Sequence, residues 1–177
     1  MRARSCLAFG ILLLAGLTSA SAQRPSRVPD VHFTPTRHIV ADRMLQLAGV
    51  TKDDVVLDLG SGDGRIVIIA AQKYGARGVG IEIDPKLVAL ARQNAIDADV
   101  TDRVTFIEGD LYAADLSAAT VVTAYLSPNI MKQLESKFRT ELRPGARIVS
   151  HQFPMARWRP DERVRVEESE LLLWRVP

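Results

Sequence analysis

A glycine-rich turn between an apolar strand and a helix constrains the fold of this chain more than any other stretch. Residues 55–59 form a β-branched and leucine-rich run, glycines alternate at positions 60, 62 and 64, and residues 66–71 continue as a helix that ends at Gly75. This order opens an α/β sheet whose ligand lies at the carboxyl ends of the strands. Glycine is expected at the bend because a side chain would keep the backbone from approaching a ligand closely.

Carboxylates at this turn indicate which nucleotide-like cofactor it suits. Asp58 precedes the glycines and Asp63 lies among them, whereas the dinucleotide fingerprint G-x-G-x-x-G would place its third glycine at Arg65. Carboxylates repel a pyrophosphate but attract the ammonium and sulfonium groups of S-adenosylmethionine. The D-x-G-x-G-x-G form resembles the first motif of class I S-adenosylmethionine-dependent methyltransferases. The alternative is a glycine turn that only packs.

The start of the chain is typical of a secretory signal peptide. A basic beginning, an almost entirely apolar run over residues 7–17 and small residues at 20–22 supply its three parts. The apolar run is shorter than the ~20 residues that a membrane-spanning helix needs. We expect cleavage after Ala22 and a secreted or periplasmic protein. An uncleaved membrane anchor is the alternative, because Arg24 and Arg27 follow the leader.

Removal of the leader, residues 1–22, changes the charge and the cysteine content. Without Arg2 and Arg4 the 23 basic residues fall to 21 and balance the 21 acidic residues, so no broad basic footprint for nucleic acid remains. The single cysteine, Cys6, lies in the leader, so the mature chain has neither a disulfide nor a thiol nucleophile. We expect a short linker over residues 23–30 and one domain over residues 31–177.

Alternating strands and helices predict that this domain is α/β, Rossmann-like, with a mostly parallel sheet and a C-terminal antiparallel β-hairpin. The predicted strands span residues 55–59, 78–83, 104–108, 121–126 and 147–150, and the hairpin spans 163–167 and 170–176. Helices follow the first, second and fourth strands, whereas residues 111–120 and 151–162 are expected to be loops. The resemblance to class I methyltransferases covers essentially the whole mature chain.

A helix is expected before the first strand, from Thr34-Pro35 to Gly49, because a cap residue followed by proline favours a helix start. Its spacing predicts one buried face, made of Ile39, Val40, Met44, Leu45 and Ala48.

The predicted cofactor site takes its adenosine contacts from the ends of the second and third strands. Glu82 ends the second strand about twenty residues after the turn, where a carboxylate accepts both ribose hydroxyls of a nucleoside. Ile83 would cover one face of the adenine. The resemblance implies that Asp110, with Leu111 beside it, lies near the adenine amino group. The alternatives are an exposed strand-end acid for Glu82, a core side chain for Ile83 and a turn aspartate for Asp110.

The methionine end of the cofactor would lie at the glycine turn. Asp58 and Gly60 are expected to face it, together with Ser61, and Gly62 is expected to permit the close approach. Asp63 and Arg65 are weaker candidates, because either side chain could simply be solvated.

A more specific resemblance lies between residues 121 and 160. Tyr125-Leu126-Ser127-Pro128, the segments 134–137 and 141–150, Phe153-Pro154 and Trp158-x-Pro160 are similar to the family that methylates a lysine of the ATP synthase c subunit, and to its bacterial relatives. Thr34-Pro35-Thr36 is similar too. The resemblance implies protein-lysine N-methylation with S-adenosylmethionine. A small-molecule acceptor and a non-catalytic S-adenosylmethionine-binding protein are the alternatives, and the secretory leader does not fit the mitochondrial members.

Methyl transfer to a lysine requires positioning and a neutral amine rather than a metal or a covalent intermediate. A lysine has an unperturbed pKa of about 10.4, so its proton must leave before the amine attacks. Candidate side chains after the fourth and fifth strands are Tyr125, Ser127, Asn129 and His151. Tyr125 and His151 are the predicted catalytic residues, His151 because it titrates near neutrality. The alternatives are a packed strand aromatic for Tyr125 and a histidine bonded to a neighbouring carbonyl for His151.

Overall fold

The computed structural model describes residues 33–177 as alternating helices and strands. In chain order these are α1 (His38–Leu47), β1 (Val55–Leu59), α2 (Arg65–Tyr74), β2 (Arg77–Glu82), α3 (Pro85–Asp97), β3 (Val104–Glu108), β4 (Val121–Ala124), α4 (Pro128–Glu141), β5 (Arg147–His151), β6 (Glu162–Val166) and β7 (Ser169–Arg175). The predicted signal peptide and linker lie outside the described residues.

The seven strands form one mixed sheet in the order β3-β2-β1-β4-β5-β7-β6. The five strands from β3 to β5 run parallel, and β7 pairs antiparallel with both β5 and β6. The predicted fold class is therefore confirmed. The strand order reverses between β1 and β4, and such a switch point opens a crevice at the carboxyl ends of the strands.

The turn between β1 and α2 has the backbone that its glycines were expected to supply. Gly60, Gly62 and Gly64 have φ angles of 73°, 54° and 80°, a region that side chains disfavour. Gly64 donates to the Ser61 carbonyl at 2.9 Å, and α2 begins at the next residue. Gly75 ends α2 in a left-handed conformation, as predicted.

The start of α1 differs from the prediction. The helix begins at His38 rather than at Thr34-Pro35, and the residue before it, Arg37, is extended. Tertiary contacts hold Thr36 outside the helix: its hydroxyl lies 3.2 Å from a ring nitrogen of His151, and its carbonyl accepts from Arg65 at 2.8 Å. The predicted cap, Thr34, lies before this point in the chain, and no side chain caps α1. Ile39 is 56% exposed, so its predicted burial is wrong, whereas the other four predicted residues of that face are buried.

Helices cover both faces of the sheet and enclose its core. α4 and Trp174 pack on one face, and α1 and α2 pack on the other. The predicted α4 face, Ile130, Met131, Leu134, Phe138 and Leu142, is buried. The connections over residues 111–120 and 152–161 contain no helix, as predicted. Within residues 33–177, no helix is long and apolar enough to cross a membrane.

Candidate functional site

A cavity of about 350 Å³ lies at the carboxyl ends of β1, β2, β3 and β4. It spans the switch point, with β2 and β3 on one side of β1 and β4 on the other. Eight of the ten predicted site residues line it: Asp58, Gly60, Ser61, Glu82, Ile83, Asp110, Leu111 and Tyr125. The fold thus brings together side chains from four separate strand ends.

Asp58 is a buried carboxylate in the wall of the cavity. Its side chain accepts a hydrogen bond from the Thr123 hydroxyl at 2.7 Å, and the residue is only 3% exposed. Burial, with smaller contributions from Glu82 and Asp63, raises the pKa of Asp58 to about 7. A cation bound in the cavity would favour the ionised form, so this group is suited to a positively charged ligand.

Glu82 is held by backbone amides rather than by a basic side chain. Gly62 N donates to its Oε2 at 2.9 Å, while Ile83 N and Asp84 N donate to Oε1 at 2.8 and 3.0 Å. These three donors orient the buried carboxylate, whose remaining lone pairs can accept further hydrogen bonds. Glu82 is therefore not the exposed strand-end acid of the alternative interpretation.

Gly62 does not lie in the cavity wall, contrary to the close approach expected for it. A Cβ placed on Gly62 would lie 2.2 Å from Cε2 of Phe33, so the phenyl ring fills the space that the missing side chain leaves. Phe33 itself lines the cavity and is 45% exposed. The glycine is required there by a close approach of the protein's own aromatic ring.

Asp63 and Arg65 bind each other instead of being separately solvated. Arg65 Nε donates to Asp63 Oδ1 at 2.9 Å, and a second guanidinium nitrogen contacts Oδ2. Burial alone would raise the pKa of Asp63, but the hydrogen bonds from Arg65 outweigh it and the pKa is lowered. Arg65 also donates to the Thr36 carbonyl at 2.8 Å. This ion pair attaches residues 33–36, which we call the N-terminal strap, to the glycine turn.

Stacked rings occupy the β4 side of the cavity. The Tyr125 ring lies 4.0 Å from the His151 ring, at 30°, and 6.2 Å from the Phe153 ring, at 11°. Tyr125 lines the cavity, but His151 lies behind it and is 6% exposed. Ser127 and Asn129, the other two candidates, are not in the cavity wall.

His151 has hydrogen bonds at both ring nitrogens. Nδ1 lies 3.2 Å from the Thr36 hydroxyl and Nε2 lies 2.9 Å from the Ser169 hydroxyl. Burial lowers its pKa below the ordinary value, so the ring is neutral near pH 7. Its partners are hydroxyls rather than the carbonyl of the alternative interpretation, and His151 itself does not line the cavity.

Comparison with known proteins assigns the family. A family model described as the ANTKMT methyltransferase domain matches residues 58–162. A protein-lysine N-methyltransferase of Saccharolobus islandicus is 42% identical over 147 residues, which cover 82% of this chain and 91% of that protein. The chain belongs to the ANTKMT methyltransferase family. The predicted resemblance is confirmed.

Other members and neighbours extend the comparison. The ATP synthase c-subunit lysine N-methyltransferase of Xenopus laevis is 38% identical over 142 residues, which cover 80% of this chain and 61% of that protein. A crystal structure named as an RNA methyltransferase from Salinibacter ruber, in complex with S-adenosyl-L-homocysteine, has a TM-score of 0.80 and 54% identity. It aligns with 81% of this chain, and the alignment covers 94% of that one. The chain is therefore an S-adenosylmethionine-dependent methyltransferase, as predicted.

The cavity fits the cofactor of the ANTKMT family by its donors, acceptors and charge. Among the described residues, the buried Ser61 hydroxyl has no hydrogen-bond partner, and Ser61 lines the cavity. A buried hydroxyl of this kind calls for a ligand or a water. Asp58 would hold the cationic methionine end, Glu82 the ribose hydroxyls, and Ile83, Asp110 and Leu111 the adenine.

Four residues that contribute to this site were not predicted as site residues from the sequence. Phe33 covers the glycine turn, Thr123 orients Asp58, and Thr36 and Ser169 bind His151. Only Thr36 carried a signal, as part of the Thr34-Pro35-Thr36 segment that resembles the family. The others lie far from their partners along the chain, so no local pattern relates them.

Proposed function

We propose that this enzyme transfers a methyl group to the ε-amino group of a lysine in a protein. The observation that carries the proposal is the match to a protein-lysine N-methyltransferase over 91% of that protein's length. The cavity wall agrees with it. Among the described residues, the acids that line the cavity are Asp58, Asp63, Glu82, Asp84 and Asp110, and the one basic residue there, Arg65, is paired with a carboxylate. These acids suit a sulfonium cofactor and repel a phosphate backbone near it.

The named activities of the relatives support a protein acceptor. The Saccharolobus islandicus relative, which aligns over nearly its whole length, is named a protein-lysine N-methyltransferase. The mouse ATP synthase and adenine nucleotide translocase lysine N-methyltransferases are each 42% identical over 106 residues. The chain spans less than half of either protein's length, so their targets are not assigned to this enzyme.

Methyl transfer to lysine requires the protein to bind and orient the ε-amine and to favour its deprotonated form. S-adenosylmethionine, when bound, supplies a methyl group that its sulfonium already activates. Tyr125, Leu126 and Ile130 present an apolar surface on the β4 side of the cavity. Removal of water by such a surface disfavours the charged ammonium and releases the neutral amine. Positioning of that amine in line with the methyl group supplies most of the remaining rate enhancement.

An RNA acceptor is the second candidate, because the Salinibacter ruber neighbour is named an RNA methyltransferase. A small-molecule acceptor is the third. The acidic wall of the cavity disfavours RNA, and the short loops over residues 111–120 and 152–161 place no inserted domain over the cavity within the described chain. A protein side chain is the acceptor that suits both observations.

Radiolabelled methyl transfer tests the proposal. The enzyme and methyl-labelled S-adenosylmethionine are incubated with cell extract separated into protein, RNA and metabolite fractions. The control is Asp58→Asn, which is expected to lose most cofactor binding. We expect label in protein, recovered as methyl-lysine after acid hydrolysis. Label in RNA or metabolites alone would replace the lysine assignment and retain the methyltransferase activity. No label in any fraction, with normal cofactor binding measured by calorimetry, would favour a non-catalytic binding protein.

Export from the cytoplasm remains a second proposal. The basic start, the apolar run over residues 7–17 and the small residues before Gln23 support a secreted or periplasmic enzyme. N-terminal sequencing of the native protein tests it. A chain that begins at Gln23 supports cleavage after Ala22, whereas a chain that retains the leader supports a membrane-anchored enzyme.

A further inference from the structure

We propose that His151 is a positioning residue for methyl transfer, which acts by holding the Tyr125 ring in the wall of the cavity where the acceptor binds. The proposal rests on the methyltransferase activity but not on the identity of the acceptor. Three contacts of His151 carry it: one with the ring of Tyr125, one with the N-terminal strap and one with the C-terminal hairpin.

The position of Tyr125 indicates which ligand its ring meets. The carboxylates that suit the adenosine, Glu82 and Asp110, follow β2 and β3, on one side of β1. Tyr125 follows β4, on the opposite side of β1, and lines the same cavity. A cofactor that spans the glycine turn from β3 would present its methionine end toward β4. The Tyr125 ring therefore lies where the acceptor amine must enter.

Contacts behind the Tyr125 ring leave it little freedom to tilt away from the cavity. The His151 ring stacks on it at 4.0 Å between centroids, and Phe153 adds a second ring that is nearly parallel to Tyr125. Stacked pairs of this kind contribute about 0.5–1.5 kcal/mol beyond the burial of their surface. The orientation of Tyr125 thus depends on the orientation of His151.

Two hydroxyls then determine the orientation of His151 itself. Thr36 Oγ1 contacts Nδ1 at 3.2 Å and Ser169 Oγ contacts Nε2 at 2.9 Å, so the ring is held at both ends of its polar edge. A neutral imidazole has one donor and one acceptor nitrogen, and a hydroxyl can complement either. Through these bonds the strap before α1 and the start of β7 are joined to the acceptor side of the cavity.

The same contacts exclude the role of general base that the sequence suggested for this residue. A base must reach the proton that it removes, within about 2.6–3.2 Å or through one water. His151 is buried and outside the cavity wall, with Tyr125 between it and the cavity. Its contacts with the cavity wall are the ring of Tyr125 and the hydroxyl of Thr36, so any effect on the rate must pass through these two residues.

Substitutions that separate ring stacking from hydrogen bonding test the proposal. His151→Ala removes both, and His151→Phe keeps a ring against Tyr125. Ser169→Ala removes one hydrogen bond at a residue outside the cavity wall and leaves the histidine. For each variant we would measure S-adenosylmethionine affinity by calorimetry. We would also measure the pH dependence of single-turnover methyl transfer, with the fraction that takes up label in the experiment above as the acceptor. The NMR signals of a ring-labelled Tyr125, assigned with Tyr125→Phe, would report the ring's orientation.

We expect His151→Ala to slow transfer about tenfold to a hundredfold, the scale of a misplaced reacting group, with cofactor affinity within about twofold of the parent. His151→Phe should recover most of the loss, with the pH profile and the Tyr125 signals unchanged. Ser169→Ala should have a smaller effect, and because it retains the histidine it tests the proposal even if His151→Ala fails to fold.

Two results would overturn the proposal. If His151→Phe and His151→Ala lose the same amount of methyl-transfer rate, and one limb of the pH–rate profile disappears in both, His151 is the general base rather than a positioning residue. Unchanged transfer in both His151→Ala and Ser169→Ala would mean that the contact between His151 and Tyr125 has no role in methyl transfer. Absence of label in RNA, protein and metabolites with the parent enzyme would instead refute the proposed function, and the Tyr125 signals would still report whether His151 orients the ring.

Discussion

The two halves of the cavity are built in different ways. In the cofactor half, at the ends of β1 and β2, Glu82 binds the amides of Gly62, Ile83 and Asp84, all within 20 positions along the chain. In the acceptor half, around Tyr125, the Thr36–His151 contact joins residues 115 positions apart. The first half is acidic, and its Glu82 is held by backbone amides, whereas the second is aromatic and its rings are held by side chains.

This difference has a physical reason. A charged, hydroxyl-rich ligand requires donors and acceptors at fixed points, which a glycine turn and a strand end supply locally. An acceptor amine requires a surface that excludes water, and such a surface can be assembled from any elements that meet there. The cofactor half should therefore tolerate few substitutions, whereas the acceptor half should respond gradually. The predictions below test the cofactor half, in decreasing order of their effect, and the His151 substitutions above test the acceptor half.

Gly64→Ala should destabilise the fold most. A Cβ there would lie 2.5 Å from Cζ of Phe106 and 3.0 Å from Cβ of Ala91, at a φ of 80°. We expect a loss of about 2–5 kcal/mol in the free energy of unfolding, from overpacking and left-handed strain together. Gly49→Ala is the matched control, since its φ is 63° but nothing lies within 4 Å. Urea unfolding curves that coincide for the two variants would show that the turn is loosely packed.

Asp58→Asn should abolish most cofactor binding and yet stabilise the cofactor-free protein. The folded pKa of Asp58, about 7, lies above its ordinary value of 3.8. The folded protein therefore binds a proton that the unfolded chain has lost, and this carboxylate destabilises the fold increasingly as the pH rises from about 4 to 7. The asparagine keeps an acceptor for Thr123 and removes the penalty, a gain of a few kcal/mol at pH 8.

Unfolding at several pH values measures that gain. His151 has the opposite effect on stability, because its lowered folded pKa makes stability rise with pH around 6.5. Because both proteins contain His151, its contribution cancels when the free energies of unfolding of the parent and Asp58→Asn are subtracted. The remaining difference should widen from pH 5 to pH 8. Asp53→Asn, at an exposed position before β1, should leave the curve unchanged. A constant difference across this range would mean that Asp58 ionises normally.

Glu82→Ala should weaken S-adenosylmethionine binding by roughly 1–3 kcal/mol, the scale of hydrogen bonds lost to a charged group. Glu108→Ala is the matched control, because Glu108 pairs with Glu82 across the sheet but is exposed. Calorimetry should show no change for the control. Equal affinities in the two variants would remove Glu82 from the proposed ribose contact.

Phe33→Ala should have the smallest effect, about 1 kcal/mol of cofactor affinity, because only part of the ring is buried against Gly62 and the cavity. Faster cofactor dissociation in stopped flow is the expected readout, and Phe33→Leu should recover part of the loss. Ile39→Ala, similarly exposed but outside the cavity wall, is the control. A slower dissociation than in the parent would indicate that the ring obstructs the cofactor.

Much of the cofactor half could be predicted because its parts are consecutive in the chain. The strand, the glycines and the carboxylate at the end of β2 each have a local signature, and Asp84 caps α3 by accepting from Lys86 N, as Asp84-Pro85 suggested. For the acceptor half, the sequence indicated only candidate residues and not their contacts. Nothing near His151 reveals that two hydroxyls, from Thr36 and Ser169, occupy its ring nitrogens.

Local patterns in the chain were enough to establish the order of strands and helices, the glycine turn and the cofactor class, since periodicity, turn chemistry and charge act over a few residues. Three outcomes depended instead on the assembled fold: α1 starts at His38, a ring rather than a ligand covers Gly62, and His151 lies behind Tyr125. These outcomes depend on which distant side chains compete for the same space and the same hydrogen bonds. That competition exists only once the strap and the hairpin are packed against the rest of the fold.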